Sequence, residues 1–93
     1  MQTTPRFRVS SDVVTRDVPD GAMLVNIQTG AAFKLNHVGS LIWRQLDGTR
    51  DVVAIVAEIQ RTFGVEADLA RRDLALLLKD LQKQDLIGLA APP

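Results

Sequence analysis

The spacing of apolar residues changes once along the chain, from short runs typical of strands to the 3.6-residue repeat of helices. Up to residue 35, the apolar runs are separated by Asp20-Gly21 and Gln28-Thr29-Gly30. Both sequences are typical of hairpin turns, because glycine adopts positive φ angles without steric cost. We therefore predict an antiparallel meander of three strands, at about 12–18, 22–27 and 31–35.

Alternation within these strands indicates which side chains share a face. Met23, Val25 and Ile27 occupy every second position of the second strand. Phe33 and Leu35 do the same in the third strand. We expect these side chains to form the apolar face of the sheet, which helices would cover.

Beyond the third strand, helical spacing predicts three helices. Asn36 is expected to cap the first helix, which ends at Asp47-Gly48, and Asp51 to cap the second, which ends at Gly64. The third helix is predicted from about 67 to 84, and the class is α+β. The expected core residues of this region are Leu41, Ile42, Trp43, Leu46, Val52, Ile55, Val56, Ile59, Phe63, Ala70, Leu74, Leu77, Leu78 and Leu81.

The length of 93 residues predicts one domain with a single core. Residues 1–11 are expected to be a flexible arm, 12–88 the folded domain, and 89–93 a flexible tail. No apolar run approaches the roughly 20 residues of a membrane helix, and we expect no secretory signal. The chain has no cysteine, which excludes disulfides and thiolate metal sites and suits a cytoplasmic protein.

Candidate catalytic groups are few. His37 is the only histidine in the sequence, so a histidine pair for a metal ion is excluded. A serine hydrolase triad would require His37 and a nucleophilic serine, but no serine lies in a nucleophile-elbow sequence. The glycines do not form a phosphate-binding loop. We therefore expect neither enzymatic activity nor a cofactor or metal.

The segment 29–43, TGAAFKLNHVGSLIW, carries the most specific motif of the chain. A turn glycine is followed by an aromatic residue two positions before Leu-Asn, a glycine in the first helical turn, and then Ile-Trp. Leu-Asp-Gly at 46–48 and Arg72-Asp73 with the leucines that follow extend the pattern. Over about residues 12–87 the sequence resembles the PqqD-like family of RiPP recognition elements, departing at Asp85, where the family usually has glycine.

The resemblance implies a winged helix-turn-helix-like domain that binds the leader of a precursor peptide. In such proteins the leader docks on the third strand as a further antiparallel strand, beside the last helix. The protein then presents the precursor to a modifying enzyme and catalyses nothing itself. The match is closer to the broad family, which includes stand-alone chaperones of lasso-peptide gene sets, than to the member that serves quinone-cofactor synthesis. The peptide-binding residues expected on the third strand from this resemblance are Ala31, Ala32, Phe33, Lys34 and Leu35. On the last helix, helical spacing adds Arg72, Leu76, Lys79 and Lys83, and the flank nearer the sheet adds Ala75.

The predicted third strand and last helix suit this function. Ala31 and Ala32 are small enough for close approach, although Lys34 is equally typical of a strand guarded against pairing. On the last helix, an apolar residue among cations would favour an acidic leader with an apolar anchor. A solvated face is an alternative, and so is a groove on the flank nearer the sheet that uses Ala75, Leu78 and Lys79.

Two other classes of protein are consistent with the same pattern. A winged-helix DNA-binding regulator would use the last helix for recognition, but Asp68, Asp73 and Asp80 on that helix would repel phosphate. The formal net charge of zero, from 11 basic and 11 acidic residues, also argues against nucleic acid. The second class is a strand-swapped oligomerisation module, because an open strand edge also allows a homodimer.

Overall fold

The computed structural model describes residues 6–90 and has an α+β fold. The predicted meander followed by three helices is confirmed, and the structure adds a second sheet. In chain order the elements are β1 (Arg6–Val9), β2 (Val13–Val18), β3 (Gly21–Asn26), β4 (Ala32–Leu35), α1 (His37–Arg44), β5 (Asp47–Asp51), α2 (Val52–Phe63), α3 (Ala67–Lys83) and β6 (Ile87–Leu89).

The second sheet is antiparallel and has the strand order β5-β1-β6. Its central strand, β1, lies in the segment expected to be a flexible arm, and it buries Phe7 in the core. Leu89, expected in the flexible tail, is the last residue of β6 and pairs with Phe7. Residues 1–5 of the predicted arm and residues 91–93 of the predicted tail lie outside the described part of the chain.

β5 begins as a turn and continues as a strand. The Asp47 carboxylate accepts hydrogen bonds from the Thr49 hydroxyl at 2.6 Å and from the Thr49 backbone N–H at 2.9 Å. These bonds hold the pKa of Asp47 below its usual value, because they stabilise the ionised carboxylate. Asp51 ends β5 and accepts from the N–H of Ala54 at 2.9 Å, capping α2 as predicted.

The meander buries the face of β3 opposite to the one we expected. Leu24 and Ala22 are buried, whereas Val25 and Ile27 are exposed. Both faces of β3 are apolar, so alternation within this strand does not choose between them. The choice follows from pairing with β4, because Leu24 lies opposite Phe33, whose side chain packs against the core.

One core joins both sheets to the helices. Trp43 is buried as predicted, and its Nε1–H donates to the Thr15 hydroxyl at 3.1 Å, which links α1 to β2. Phe63 is 38% exposed, so its predicted place in the core is wrong. It is the last residue of α2 and lies beside Leu41 in a surface depression, where the helix stripe extends past the core. No helix among residues 6–90 is long and apolar enough to span a membrane.

Gly21 is required where β4 leads into α1. Its φ is 151°, and a Cβ at this position would overlap the carbonyl oxygen of Leu35. Gly30 also has a positive φ, 77°, but a Cβ there would meet nothing within 4 Å. A substitution at Gly30 would therefore introduce backbone strain alone, whereas one at Gly21 would introduce both strain and a steric clash.

We expect Gly21→Ala to lower the free energy of unfolding by more than about 3 kcal/mol, because strain and overpacking add. Gly30→Ala should cost only about 1–2 kcal/mol, since it introduces strain alone. Urea denaturation followed by circular dichroism measures both values. Equal losses in the two variants would contradict the close approach of Gly21 to Leu35.

Candidate functional site

β4 is an edge strand of the meander. The strand order is β2-β3-β4, and no strand among residues 6–90 pairs with the outer side of β4. At the turn that precedes β4, the Asn26 N–H donates to the Ala31 carbonyl at 2.9 Å. This bond marks Asn26 and Ala31 as a hydrogen-bonded pair, and such pairs alternate with non-hydrogen-bonded pairs along an antiparallel ladder.

The alternation determines which backbone groups of β4 face outward. Two residues after Ala31, Phe33 is again in a hydrogen-bonded pair, and so is Leu35. The backbone N–H and C=O groups of Ala32 and Lys34 therefore point away from β3, toward the open edge. Two donors and two acceptors are available there for a further strand.

A groove of about 450 Å³ lies between β4 and α3. One wall is β4 with the start of α1, and the other is one face of α3, where the lining residues recur at i, i+3, i+4 and i+7. The lining residues are Phe33, Lys34, Leu35, Asn36, Val38, Gly39, Ile42, Asp73, Leu76, Leu77 and Asp80.

The start of α1 is fixed against this groove by its cap. The Asn36 side-chain oxygen accepts from the Gly39 N–H at 2.8 Å, as an N-cap does. A Cβ at Gly39 would lie 3.1 Å from the Leu35 side chain, so glycine allows α1 to pack closely on the end of β4.

The middle of the groove is apolar and partly open to solvent. Phe33 and Leu77 are half-buried and pack against the core, and Leu76 is 57% exposed. We call these three residues the apolar patch. Covering exposed apolar surface is favourable by about 25 cal/mol per Å², so the patch is suited to an apolar side chain of a ligand.

The structure brings together four of the residues predicted to bind peptide: Phe33, Lys34, Leu35 and Leu76 line the groove. Ala32 is the first residue of β4 and Ala31 precedes that strand, and neither of them lines the groove. Arg72, Ala75, Lys79 and Lys83 are exposed on an adjoining face of α3 and do not line the groove. Their contact with a peptide stays a prediction.

Sequence reasoning missed the α3 wall of the groove apart from Leu76. Asp73 and Asp80 are seven residues apart, with Leu76 and Leu77 between them, and this spacing puts all four on one flank of the core stripe. This spacing could have shown from the sequence that the four residues share a face. The sequence alone does not say which flank of the helix adjoins β4.

His37 and Ser40 border a second depression together with Asp17. Among residues 6–90, no hydrogen bond joins these three side chains, and Asp17 instead pairs with Arg44 at 3.3 Å. The described residues contain no group of three or more histidine, cysteine, aspartate or glutamate side chains placed to hold a metal ion.

Two solved structures share this fold. One is described as TbiB1 in complex with the TbiA(beta) leader peptide; it has a TM-score of 0.78 and 31% sequence identity, and the match covers 92% of this chain and 98% of that chain. The other is described as lasso peptide synthetase B1 complexed with the leader peptide; its TM-score is 0.79 at 22% identity, over 89% and 98% of the two chains. No curated protein shows significant sequence similarity to the chain.

The family model of coenzyme PQQ synthesis protein D (PqqD) matches residues 21–87. This range contains β3, β4 and all three helices, and so it includes both walls of the groove. The resemblance inferred from the motif at 29–43 is confirmed. The chain belongs to the PqqD family.

Proposed function

We propose that this protein is a non-catalytic chaperone for the leader of a ribosomally made, post-translationally modified peptide. The leader binds as a fourth strand on β4 and is presented to a modifying enzyme such as a protease, a cyclase or a radical enzyme. The observation that carries the proposal is the open edge of β4 beside an apolar groove. The TbiB1 structure, at 31% identity, supports it because that protein is in complex with a leader peptide.

The affinity would have two sources. The backbone groups of Ala32 and Lys34 offer four hydrogen bonds, each worth about 0.5–1.5 kcal/mol net. These bonds are independent of the leader's sequence, because every residue other than proline has the same backbone groups. Selectivity must therefore come from side chains that enter the groove and cover the apolar patch.

The groove distinguishes β4 from the other edge of the same sheet. β2 is also unpaired on its outer side among residues 6–90. Thr15 and Asp17 lie opposite Leu24 and Ala22, so their backbone groups point outward in the same way. The groove beside α3 is lined by residues of β4 and by none of β2. We place the leader on β4 for this reason.

The remaining predicted contacts belong to the rim of the site. Arg72, Ala75, Lys79 and Lys83 would contact a leader that extends across α3 beyond Leu76. Exposed ion pairs are worth about 0–1 kcal/mol, so we assign these residues a minor share of the affinity.

Amide hydrogen exchange tests both which backbone N–H groups of β4 point outward and whether the leader binds to them. In the free protein we expect fast exchange at Ala32 and Lys34 and slow exchange at Phe33 and Leu35, measured by nuclear magnetic resonance. Addition of the cognate leader should protect Ala32 and Lys34, because their N–H groups then donate to the leader. Protection at Thr15 instead would place the leader on β2.

The same exchange measurement at several protein concentrations separates leader binding from self-pairing. Protection of Ala32 and Lys34 that rises with protein concentration, without any leader, would indicate pairing of two copies through β4. We expect no such dependence.

Proline substitution tests whether these backbone groups supply affinity. Ala32→Pro and Lys34→Pro each remove one outward N–H, which an edge strand tolerates. We expect a melting temperature close to that of the parent and a loss of leader affinity of tenfold or more, about 1.4 kcal/mol. Isothermal titration calorimetry and circular dichroism measure the two effects.

Asp17→Pro is the matched control, because it removes an outward N–H from the other edge of the sheet. It also removes an exposed ion pair with Arg44, which contributes little to stability. We expect parental leader affinity in this variant. If the two β4 variants fold and bind like the parent, or if Asp17→Pro alone abolishes binding, the leader does not use β4.

A further inference from the structure

We infer that the leader bound by this protein carries basic residues on both sides of the apolar residue that enters the groove. The inference rests on the proposed function and adds the charge of the ligand to it. Asp73 and Asp80 are the observations behind it, because both line the α3 wall. They stand before and after Leu76 and Leu77, the two leucines of the apolar patch.

Neither carboxylate has a partner within the described part of the chain. The ion pairs among residues 6–90 join Arg44 to Asp17, Arg61 to Glu58 and Arg71 to Asp68. The side-chain hydrogen bonds of α3 likewise involve Arg71 and Asp68. Asp73 and Asp80 are thus available to a ligand in the groove.

The nearby cations in the described part of the chain form no ion pair with this wall. Lys83 lies one helical turn beyond Asp80, but no ion pair joins the two side chains among residues 6–90. Arg72 and Lys79 each precede one of the two aspartates, so they project about 100° away around the helix. Lys34 also borders the groove. Strand alternation, however, directs its side chain to the face of β4 opposite to Phe33. The α3 wall is therefore negative at both ends and apolar in the middle.

A docked strand would remove water from both carboxylates. Burying an ionised carboxylate is unfavourable unless a cation or another donor replaces the lost water. An acidic leader would instead bring like charges together, so the same pair of aspartates would reject it. The groove thus favours a basic leader, which reverses the acidic leader expected from the cations of the adjoining face of α3.

The spacing of the two carboxylates indicates where the basic residues lie in the leader. Seven helical residues span about 10.5 Å along the axis. Alternate residues of a strand face the same side, and residues two before and two after an anchor are about 13 Å apart. Lysine and arginine side chains are long enough to span the difference. For a leader that runs along α3, we expect the basic residues at these two positions relative to the apolar anchor.

A display library of random peptides, selected on the full chain, provides the test. We expect lysine or arginine two residues from an apolar residue to be recovered about fivefold more often than aspartate or glutamate. Asp73→Asn with Asp80→Asn should abolish this enrichment. Exposed aspartates tolerate asparagine, and circular dichroism checks the fold.

Asp68→Asn with Asp85→Asn is the matched control, because it removes two negative charges near the ends of α3 that do not line the groove. Asp85 has a φ of 57°, a conformation that asparagine adopts readily. We expect this variant to retain the enrichment. As a second measurement, replacing the two basic residues of a selected peptide by glutamate should weaken its binding to the parent protein at least about fivefold.

The outcomes separate the inference from the proposed function. Suppose first that peptides bind and that Ala32→Pro abolishes binding. If basic residues are then not enriched, or stay enriched when Asp73 and Asp80 are replaced, the inference is wrong and the proposed function stands. If no peptide is recovered, or if recovered peptides bind Ala32→Pro and Lys34→Pro as tightly as the parent, the proposed function fails and the inference with it.

Discussion

The groove depends on one buried side chain, Asn26, which joins the turn before β4 to the segment that follows α3. Asn26 is 3% exposed, and its Nδ2 donates to the carbonyl of Asp85 at 2.9 Å, just beyond the end of α3. Its Oδ1 accepts from the N–H groups of Gln28 and Thr29 at 2.8 and 3.2 Å, in the turn that leads to β4. A buried amide that lost these partners would be costly. The start of β4 and the end of α3 are therefore held near each other by hydrogen bonds as well as by apolar packing.

Both ends of β4 are held by contacts on its inner side. Asn26 holds the turn before the strand, and Gly21 lies close to the backbone of Leu35 at its end, so neither contact covers the outer edge. Open edges favour aggregation, and natural proteins limit this with short strands and lysine. β4 has four residues and includes Lys34. Under the proposed function, a leader would have to overcome this protection through side-chain contacts in the groove.

Local periodicity predicted the meander and the helices, because their pairings are close in sequence. It missed the second sheet, since β1 pairs with β5 and β6, which lie far along the chain. The sequence of β5 is also typical of a turn, because the Asp47 side chain accepts a hydrogen bond from the nearby Thr49 N–H. At the site, the sequence predicted β4 but not Asp73 and Asp80. Helical periodicity gives the buried face of α3, whereas the flank that adjoins β4 depends on how the helix packs across the core.

Strand addition would direct the leader's side chains alternately to two surfaces, the groove and the outer face of the meander. Alternate residues would point into the groove, toward the apolar patch and the aspartates of α3. The residues between them would extend the outer face of the meander, beside Ala32. That face already exposes Val25 and Val14, which lie opposite each other across β3 and β2. The protein would thus select a leader through half of its side chains and leave the other half accessible, which is what presentation to an enzyme requires.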